Sequence, residues 1–172
     1  MSLIAGLSAG RLDQLGLVVP DLKPAMDGYI STLGVTFQVF EVDESNSSFS
    51  GSSAAFRLRF GIALMGLSSI QLIQPVAGET IYSDHLRTRG PGMHHIGVYV
   101  TSVDAASDEL RQRGYSKLMA GHIDRLGRFA YFDAPDLHTI VEPLQLSIGL
   151  PCFLAEKSCT YRSAAAASAI SW

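Results

Sequence analysis

An internal repeat constrains the fold of this chain more than any other feature of its sequence. Residues 14–19 (QLGLVV) resemble residues 95–100 (HIGVYV), and residues 71–74 (QLIQ) resemble residues 142–145 (EPLQ). The first pair is offset by 81 positions and the second by 71, so the second copy is ten residues shorter. The first copy has its additional residues in a Ser/Asn-rich segment, 43–53, which is predicted to be a loop.

Each copy of the repeat is predicted to form a strand, a helix and three further strands. The amphipathic segment after the first strand ends at Gly34 or Gly114, which is typical of a helix C-terminus. A further short helix is predicted over 80–87, between the copies. The predicted strands are 12–19, 36–42, 54–65 and 69–74 in the first copy and 93–100, 115–119, 128–133 and 139–145 in the second, with helices at 22–33 and 103–113.

Two such βαβββ modules, residues 11–75 and 92–146, predict one α+β domain with a curved eight-stranded mixed sheet. A four-stranded sheet with one helix cannot bury both of its faces. Two units side by side form a cup with the helices outside, and the cup is the natural place for a ligand. Residues 147–172 form a C-terminal extension that we expect to contribute nothing to the cup.

Composition excludes several other classes of protein. The 172 residues include 13 Lys and Arg against 16 Asp and Glu, and the basic residues are not clustered, which argues against nucleic-acid binding. No apolar run approaches the roughly 18–20 residues of a membrane span, and the first ten residues lack the basic region of a secretory signal. Cys152 and Cys159 are spaced for neither a redox motif nor a zinc site. We therefore expect a cytoplasmic protein with reduced thiols.

Four polar side chains occupy matching positions in the two copies, on the first and the last strand of each. The set is Gln14, Gln71, His95 and Glu142. Because side chains alternate along a strand, all four face the cup, where Gly16 and Gly97 keep the floor clear. A lone polar residue in a strand is usually satisfied locally, but two matched pairs indicate a shared role. One imidazole, one carboxylate and two amide oxygens can together bind a divalent cation.

Four motifs are informative together: QLGLVVPDL at 14–22, IQLIQP at 70–75, GMHHIG at 92–97 and IVE at 140–142. In these motifs the chain resembles the vicinal oxygen chelate superfamily of glyoxalases, methylmalonyl-CoA epimerases, extradiol dioxygenases and bleomycin-resistance proteins. The resemblance covers residues 11–146 and is strongest to the epimerase and glyoxalase branch. It implies that a divalent ion (Zn, Ni, Co, Mn or Mg) binds the four side chains named above. Alternation along the strand predicts that His94, next to His95, points away from the cup and is structural.

The proposed ligand set combines two patterns of that family. Gln14 stands where the epimerases usually have histidine, and Gln71 stands where the glyoxalases usually have glutamate. The epimerase resemblance also implies a second carboxylate on the third strand, but residues 54–60 (AAFRLRF) contain none. Three nearby acids are either a second proton-transfer group or solvated loop charges. They are Glu41, Asp43 and Glu44.

The expected function is that of a metal-dependent lyase, isomerase or epimerase that removes a proton next to a carbonyl. The substrate would be a small or CoA/thiol-linked acyl compound, with its enolate charge stabilised by the cation. Glu142, the only acid of the four ligands, would be the base. Arg57 and Arg59 share one face of the third strand, which lies either in the cup or outside it. The candidates for substrate binding are Arg57, Arg59, Tyr99 and Arg128.

Two other functions are compatible with such a chain. One is a non-catalytic small-molecule binding protein, like the antibiotic-sequestering relatives, because Gln14 and Gln71 would hold a metal less strongly than histidine and glutamate. The other is an extradiol-type dioxygenase, which requires two histidines and one carboxylate, whereas Gln14 removes one histidine. In each case we expect a homodimer that covers exposed sheet edges, with a small-molecule ligand and no nucleic-acid or membrane partner.

Overall fold

The strands and helices of both modules follow the order that the repeat predicts. A computed structural model describes residues 12–43, 47–49, 55–123, 127–147 and 159–161, with the backbone alone for 47–49 and 159–161. The first module contains β1 (Gln14–Val18), α1 (Leu22–Leu33), β2 (Phe37–Asp43), β3 (Ser47–Phe49), β4 (Arg57–Met65) and β5 (Ser68–Ala77). The helix α2 (Ile81–Arg89) joins it to the second module. That module contains β6 (Gly92–Tyr99), α3 (Val103–Gln112), β7 (Ser116–Ile123), β8 (Gly127–Ala134) and β9 (Thr139–Leu146), and β10 (Cys159–Tyr161) follows.

The strands form one mixed sheet in the order β10-β2-β4-β5-β1-β6-β9-β8-β7-β3. The first strands of the two modules, β1 and β6, pair antiparallel in the middle of the sheet. Each of them also pairs in parallel with the last strand of its own module, β5 or β9. All eight predicted strands are present, so the α+β fold with paired βαβββ modules is confirmed, and one chain supplies both halves of the cup.

Two short strands at the edges of the sheet were not predicted. The segment 43–53 was predicted to be a loop, but Ser47–Phe49 forms β3 and pairs with β7 of the other module. In the C-terminal extension, Cys159–Tyr161 forms β10 and pairs with β2. Pairing with an edge strand satisfies backbone groups that local sequence preference does not take into account. Cys152 and the alanine-rich segment 163–169 lie outside the described residues.

A glutamine at the end of the last strand of each module fixes the start of that module's helix. The side-chain Oε1 of Gln74 accepts a hydrogen bond from the backbone N–H of Leu22 at 3.0 Å. In the second module, Gln145 Oε1 accepts from the backbone N–H of Val103 at 3.1 Å. Each bond satisfies one of the otherwise unpaired N–H groups at a helix start, so each helix is tied to a strand that carries a candidate ligand.

Apolar side chains cover both faces of the sheet. On the convex face, α1 packs on the first module and α3 on the second. On the concave face, which we call the cup, the buried side chains include Leu58, Phe60, Phe129, Tyr131 and Leu144, together with Tyr82 of α2. The longest helix, α1, has 12 residues, and in the described ranges no helix has the length and hydropathy needed to cross a membrane.

Candidate metal centre

The four candidate ligands lie on the four adjacent strands in the middle of the sheet. In the strand order β5-β1-β6-β9 they are Gln71, Gln14, His95 and Glu142. The strand register places Gly16 between Gln71 and His95, and Gly97 between Gln14 and Glu142. Each row across the sheet therefore reads side chain, glycine, side chain, which leaves space for the side chains to meet over the glycines.

Both glycines are required by the position of the ligands. A Cβ atom on Gly16 would lie 2.0, 2.2 and 2.5 Å from three atoms of the His95 ring. A Cβ atom on Gly97 would lie 2.8 Å from Cβ of Gln14 and 3.4 Å from Oε2 of Glu142. Gly16 of the first module lies under His95 of the second. Gly97 of the second module lies beside Gln14 of the first. Each module thus makes room for a ligand of the other.

One atom of each candidate ligand is buried without a hydrogen-bond partner among the described residues. The four candidate ligands are between 0% and 8% exposed. The atoms are Oε1 of Gln14, Oε1 of Gln71, Nε2 of His95 and Oε2 of Glu142. Buried polar atoms in proteins are nearly always satisfied, so four unsatisfied atoms at matched positions point to a shared partner beyond the described residues.

The distance between His95 and Glu142, and the size of the neighbouring cavity, are compatible with a single cation. Nε2 of His95 lies 3.1 Å from Oε2 of Glu142, but the two atoms are not oriented for a hydrogen bond. Neighbouring ligand atoms around an ion bound at about 2.0–2.2 Å are themselves roughly 3 Å apart. Gln14, Gln71 and Glu142 line a cavity of about 20 Å³, which is room for about one water molecule or ion.

The two amides are essential to any such site. In the part of the chain that the structure describes, no three His, Cys, Asp or Glu side chains form a metal-binding group. A cation here would therefore need the amide oxygens in addition to His95 and Glu142. The amide Nε2 of Gln14 donates to Oγ of Ser69 at 3.4 Å, and Ser69 Oγ donates to the backbone oxygen of Asp13 at 3.2 Å. These two hydrogen bonds use only the amide nitrogen of Gln14, so its Oε1 remains available in the cup.

His94 lies beside His95, and the prediction that it points away from the cup is wrong. Gly16 pairs with His95 but Leu17 pairs with Met93, so His94 is the additional residue of a β-bulge. A bulge interrupts the alternation of side chains on which the prediction depended. Nδ1 of His94 is 2.9 Å from Nδ1 of His95. Burial, followed by the electrostatic effect of His95, lowers the pKa of His94 to about 2, so its imidazole is neutral.

Two tyrosines that were not assigned to the site close the cavity. Tyr82 of α2 and Tyr131 of β8 line it and are each 1% exposed. Burial, and then the negative charge of Glu142, raises the pKa of both hydroxyls, which are therefore neutral. The alternation Phe129–Tyr131 in β8 could have placed Tyr131 in the cup. No sequence signal placed Tyr82, because the orientation of the joining helix depends on tertiary packing.

Of the four candidates for substrate binding, the structure brings Tyr99 alone to the cup, where it packs against the apolar core. Arg57 and Arg59 lie on the convex face, the second of the two orientations considered for them. They share that face with Gly61, at which a Cβ would contact side chains of α1. Nε of Arg59 donates to Oε1 of Glu41 at 2.7 Å, so Glu41 is also remote from the cavity.

Arg128 is likewise remote from the cavity. Its neighbours in β8, Phe129 and Tyr131, face the cup, whereas Arg128 reaches α3 on the convex side. Its two terminal nitrogens each donate to a carboxylate oxygen of Asp104 at 2.8 Å. The hydrogen bond from Arg128 lowers the pKa of Asp104 and raises that of Arg128. Of the other acids considered, Asp43 ends β2 on the face of Glu41, and Glu44 lies outside the described residues.

Comparisons with known proteins give one matching family and several similar folds. The model of the glyoxalase/bleomycin resistance protein/dioxygenase superfamily matches residues 13–132. A hypothetical protein from Bacillus halodurans is 19% identical, with a TM-score of 0.67 over 83% of this chain and 98% of its own. Methylmalonyl-CoA epimerase from Mycobacterium tuberculosis is 22% identical, with a TM-score of 0.64 over 88% and 97%.

A variant of methylmalonyl-CoA epimerase from Streptomyces coelicolor, in complex with 2-nitronate-propionyl-CoA, is also 22% identical. Its TM-score is 0.65 over 82% of this chain and 100% of its own. No curated protein matches the sequence significantly. At these identities, the structural likeness establishes the fold.

Proposed function

Because the chain belongs to the glyoxalase/bleomycin resistance protein/dioxygenase superfamily, we propose that it binds one divalent metal ion and removes a proton next to a carbonyl. The proposed ligands are Gln14, Gln71, His95 and Glu142. The observation that carries this proposal is that each of the four has one buried donor atom without a partner among the described residues. Three of them line one small cavity, and Nε2 of His95 lies 3.1 Å from Oε2 of Glu142. The reaction class is that of a lyase, isomerase or epimerase.

The proposed ligand set has one carboxylate and three neutral donors. A divalent ion held by it would keep about one positive charge and would stabilise negative charge that develops on the oxygens of the substrate. Mixed nitrogen and oxygen donors are compatible with Zn, Ni, Co, Mn or Mg. Two amide ligands imply modest affinity, so purified protein would need to be loaded with metal before assay.

Glu142 is the proposed base. It is the only carboxylate among the described residues that line the cavity. A hydrogen bond from the neutral hydroxyl of Tyr131 orients its carboxylate, and Oε2 remains available. Glu142 would release the ion as the oxygens of the substrate bind, and the proton on the carbon next to the substrate carbonyl would then move to its Oε2. Phe60 and Phe129 border the same cavity and would exclude water from the developing carbanion.

The proposed substrate is a small or thiol-linked acyl compound. Structures of similar fold contain 2-nitronate-propionyl-CoA or methylmalonyl-CoA, which favours CoA thioesters as the first compounds to test. In a sequestering protein without catalysis, the four buried donor atoms without hydrogen-bond partners would have no evident role. A dioxygenase would need a second histidine ligand, but Nδ1 of His94 faces His95 instead.

Two measurements test the proposed function. Elemental analysis of metal-reconstituted protein should find about one equivalent of metal in the wild type and much less in Glu142→Ala. With methylmalonyl-CoA in D₂O, the wild type should exchange the proton next to the carbonyl, and Glu142→Gln should reduce the rate at least 100-fold. Glu79→Gln removes an exposed carboxylate outside the cavity and should exchange normally. Retained exchange in Glu142→Gln would assign the base elsewhere.

We further propose that the protein is a homodimer. Leu67, in the turn between β4 and β5, is 82% exposed, and the neighbouring Leu64 and Met65 are 44% and 39% exposed. Contact between two copies would remove such apolar area from water. Light scattering at tens of micromolar should give twice the mass of the chain, and a monomer at that concentration would contradict the proposal.

A further inference from the structure

We propose that His94 sets the tautomer of His95 by accepting a hydrogen bond from its Nδ1–H group, so that Nε2 of His95, which lies beside Oε2 of Glu142, keeps a free lone pair. This makes His94 a positioning residue for a metal ligand, and in that respect it rests on the proposed function. The hydrogen bond itself is a property of the metal-free protein.

The direction of the bond follows from the surroundings of the two rings. The two Nδ1 atoms are 2.9 Å apart, so one proton lies between them. If His94 supplied that proton, His95 would carry its own proton on Nε2. That atom is buried and has no acceptor in hydrogen-bond geometry among the described residues, Glu142 included. A buried N–H group without an acceptor is rare, so His95 is the donor.

The β-bulge is what allows His94 to accept. In a regular strand, adjacent residues point to opposite faces, and the two imidazoles could not meet. Here the additional residue in β6 brings both to the same side. Three other rings then hold His94, which is 4% exposed. Their centroids lie 5.0 Å (Tyr82), 5.1 Å (His85) and 5.8 Å (Tyr131) from that of His94.

This arrangement differs from the usual support of a metal-binding histidine, in which the second ring nitrogen donates to a carboxylate, a backbone oxygen or water. His94 is a neutral acceptor. It fixes the orientation and tautomer of His95 without adding negative charge beside the ion. In a site with a single carboxylate, this preserves the positive charge available to the substrate.

The wild type provides the first test, through two-bond ¹H–¹⁵N spectra of metal-free protein labelled on histidine. His95 should be protonated on Nδ1 and not on Nε2, with its signals identified by their loss in His95→Gln. A His95 protonated on Nε2 would overturn the proposal whatever any other variant does.

Three variants then separate positioning from packing. His94→Phe keeps a ring but removes the acceptor, and should weaken Zn²⁺ binding about 10- to 100-fold in competition with a chelator. His94→Asn keeps an acceptor near the position of Nδ1 and should restore binding to within about threefold. His85→Phe changes one of the three rings that surround His94 and should leave the tautomer of His95 unchanged. Equal Zn²⁺ affinity in wild type and His94→Phe would contradict the proposal.

The two proposals fail in different ways. If the wild type binds no metal, the proposed function fails, whereas the tautomer of His95 in the metal-free spectrum still decides the role of His94. If the wild type binds Zn²⁺ but His95 carries its proton on Nε2, the role of His94 is wrong and the metal site stands.

Discussion

The hydroxyl groups of Tyr82 and Tyr131 lie 3.0 Å apart at the centre of the cup. Tyr82 is on the helix that joins the modules, and Tyr131 is on β8 of the second module, so this contact fastens α2 to the inner face of the sheet. The cavity beneath the pair measures about 20 Å³, far less than the roughly 300–1,000 Å³ of a typical small-molecule site. Binding of the proposed acyl substrate would therefore need side chains that line the cavity to move, and we expect Tyr82 of α2 to be one of them.

Replacement of Tyr82 should expose the buried ligands. Tyr82→Ala should lower the free energy of unfolding by about 3–5 kcal/mol, because a large buried ring is lost. It should also accelerate removal of bound metal by a chelator at least tenfold. Tyr82→Phe keeps the ring and should cost about 1 kcal/mol for the lost hydrogen bond. Urea denaturation and stopped-flow chelation measure the two effects.

A tyrosine on the convex face provides the control. Tyr29 of α1 packs edge-on against Phe37, away from the cup. Tyr29→Ala should lower stability but leave the rate of metal release unchanged. If it accelerates release as much as Tyr82→Ala does, general loosening of the fold, and not access past Tyr82, explains the result.

The space above Gly16 should be necessary for metal binding. In Gly16→Ala the new Cβ would overlap the His95 ring, and we expect a loss of about 1–3 kcal/mol in stability from overpacking together with at least a tenfold loss of Zn²⁺ affinity. Gly28→Ala is the matched control, since a Cβ there meets nothing within 4 Å and alanine favours the helix by up to about 1 kcal/mol. Unchanged affinity in Gly16→Ala would show that His95 is not a ligand.

The two strand-end glutamines should stabilise the two helices to a similar degree. Gln74→Ala and Gln145→Ala each leave a backbone N–H group at a helix start without its side-chain acceptor, and should each lower the free energy of unfolding by about 1 kcal/mol. Gln112→Ala, at an exposed position in α3, should change it by less than about 0.5 kcal/mol. Chemical denaturation followed by circular dichroism measures all three, and a loss in Gln112→Ala as large as in the others would contradict this assignment.

The ion pair between Arg128 and Asp104 should affect stability in a pH-dependent way and should not affect the site. Because the pKa of Asp104 is lowered in the folded state, the pair stabilises the fold fully above the unfolded-state pKa of about 3.9, and the effect is lost as the pH falls from there through the lower pKa of the folded state. Arg128→Gln should therefore lower the thermal midpoint slightly at pH 7 and not at about pH 2. The metal affinity of Arg128→Gln should equal that of the wild type at neutral pH. A lower affinity would indicate that Arg128 acts at the site in the cup.

The repeat predicts the fold and the position of the candidate ligands because both depend on local alternation and on symmetry. α1 has the predicted bounds, 22–33, and ends as predicted at Gly34, where φ is 68°. Alternation fails for His94, because a bulge adds a residue to one strand. Alternation does not decide which face of the sheet Arg57 and Arg59 occupy, because the residues that follow them in β4 are apolar on both faces. The placement of Tyr82, β3 and β10 depends on contacts between distant segments, which no local pattern encodes.

The candidate ligands of the two modules are related by symmetry in position but not in chemistry. The first module supplies two amides, Gln14 and Gln71, and the second supplies the imidazole of His95 and the carboxylate of Glu142. With no other described carboxylate at the cavity, a planar carbanion formed there would meet its base on one face. The proton would return to the face that it left. Solvent isotope would then accumulate in the substrate with retention of configuration, an outcome expected of the lyase or isomerase class in the proposal and not of the epimerase class.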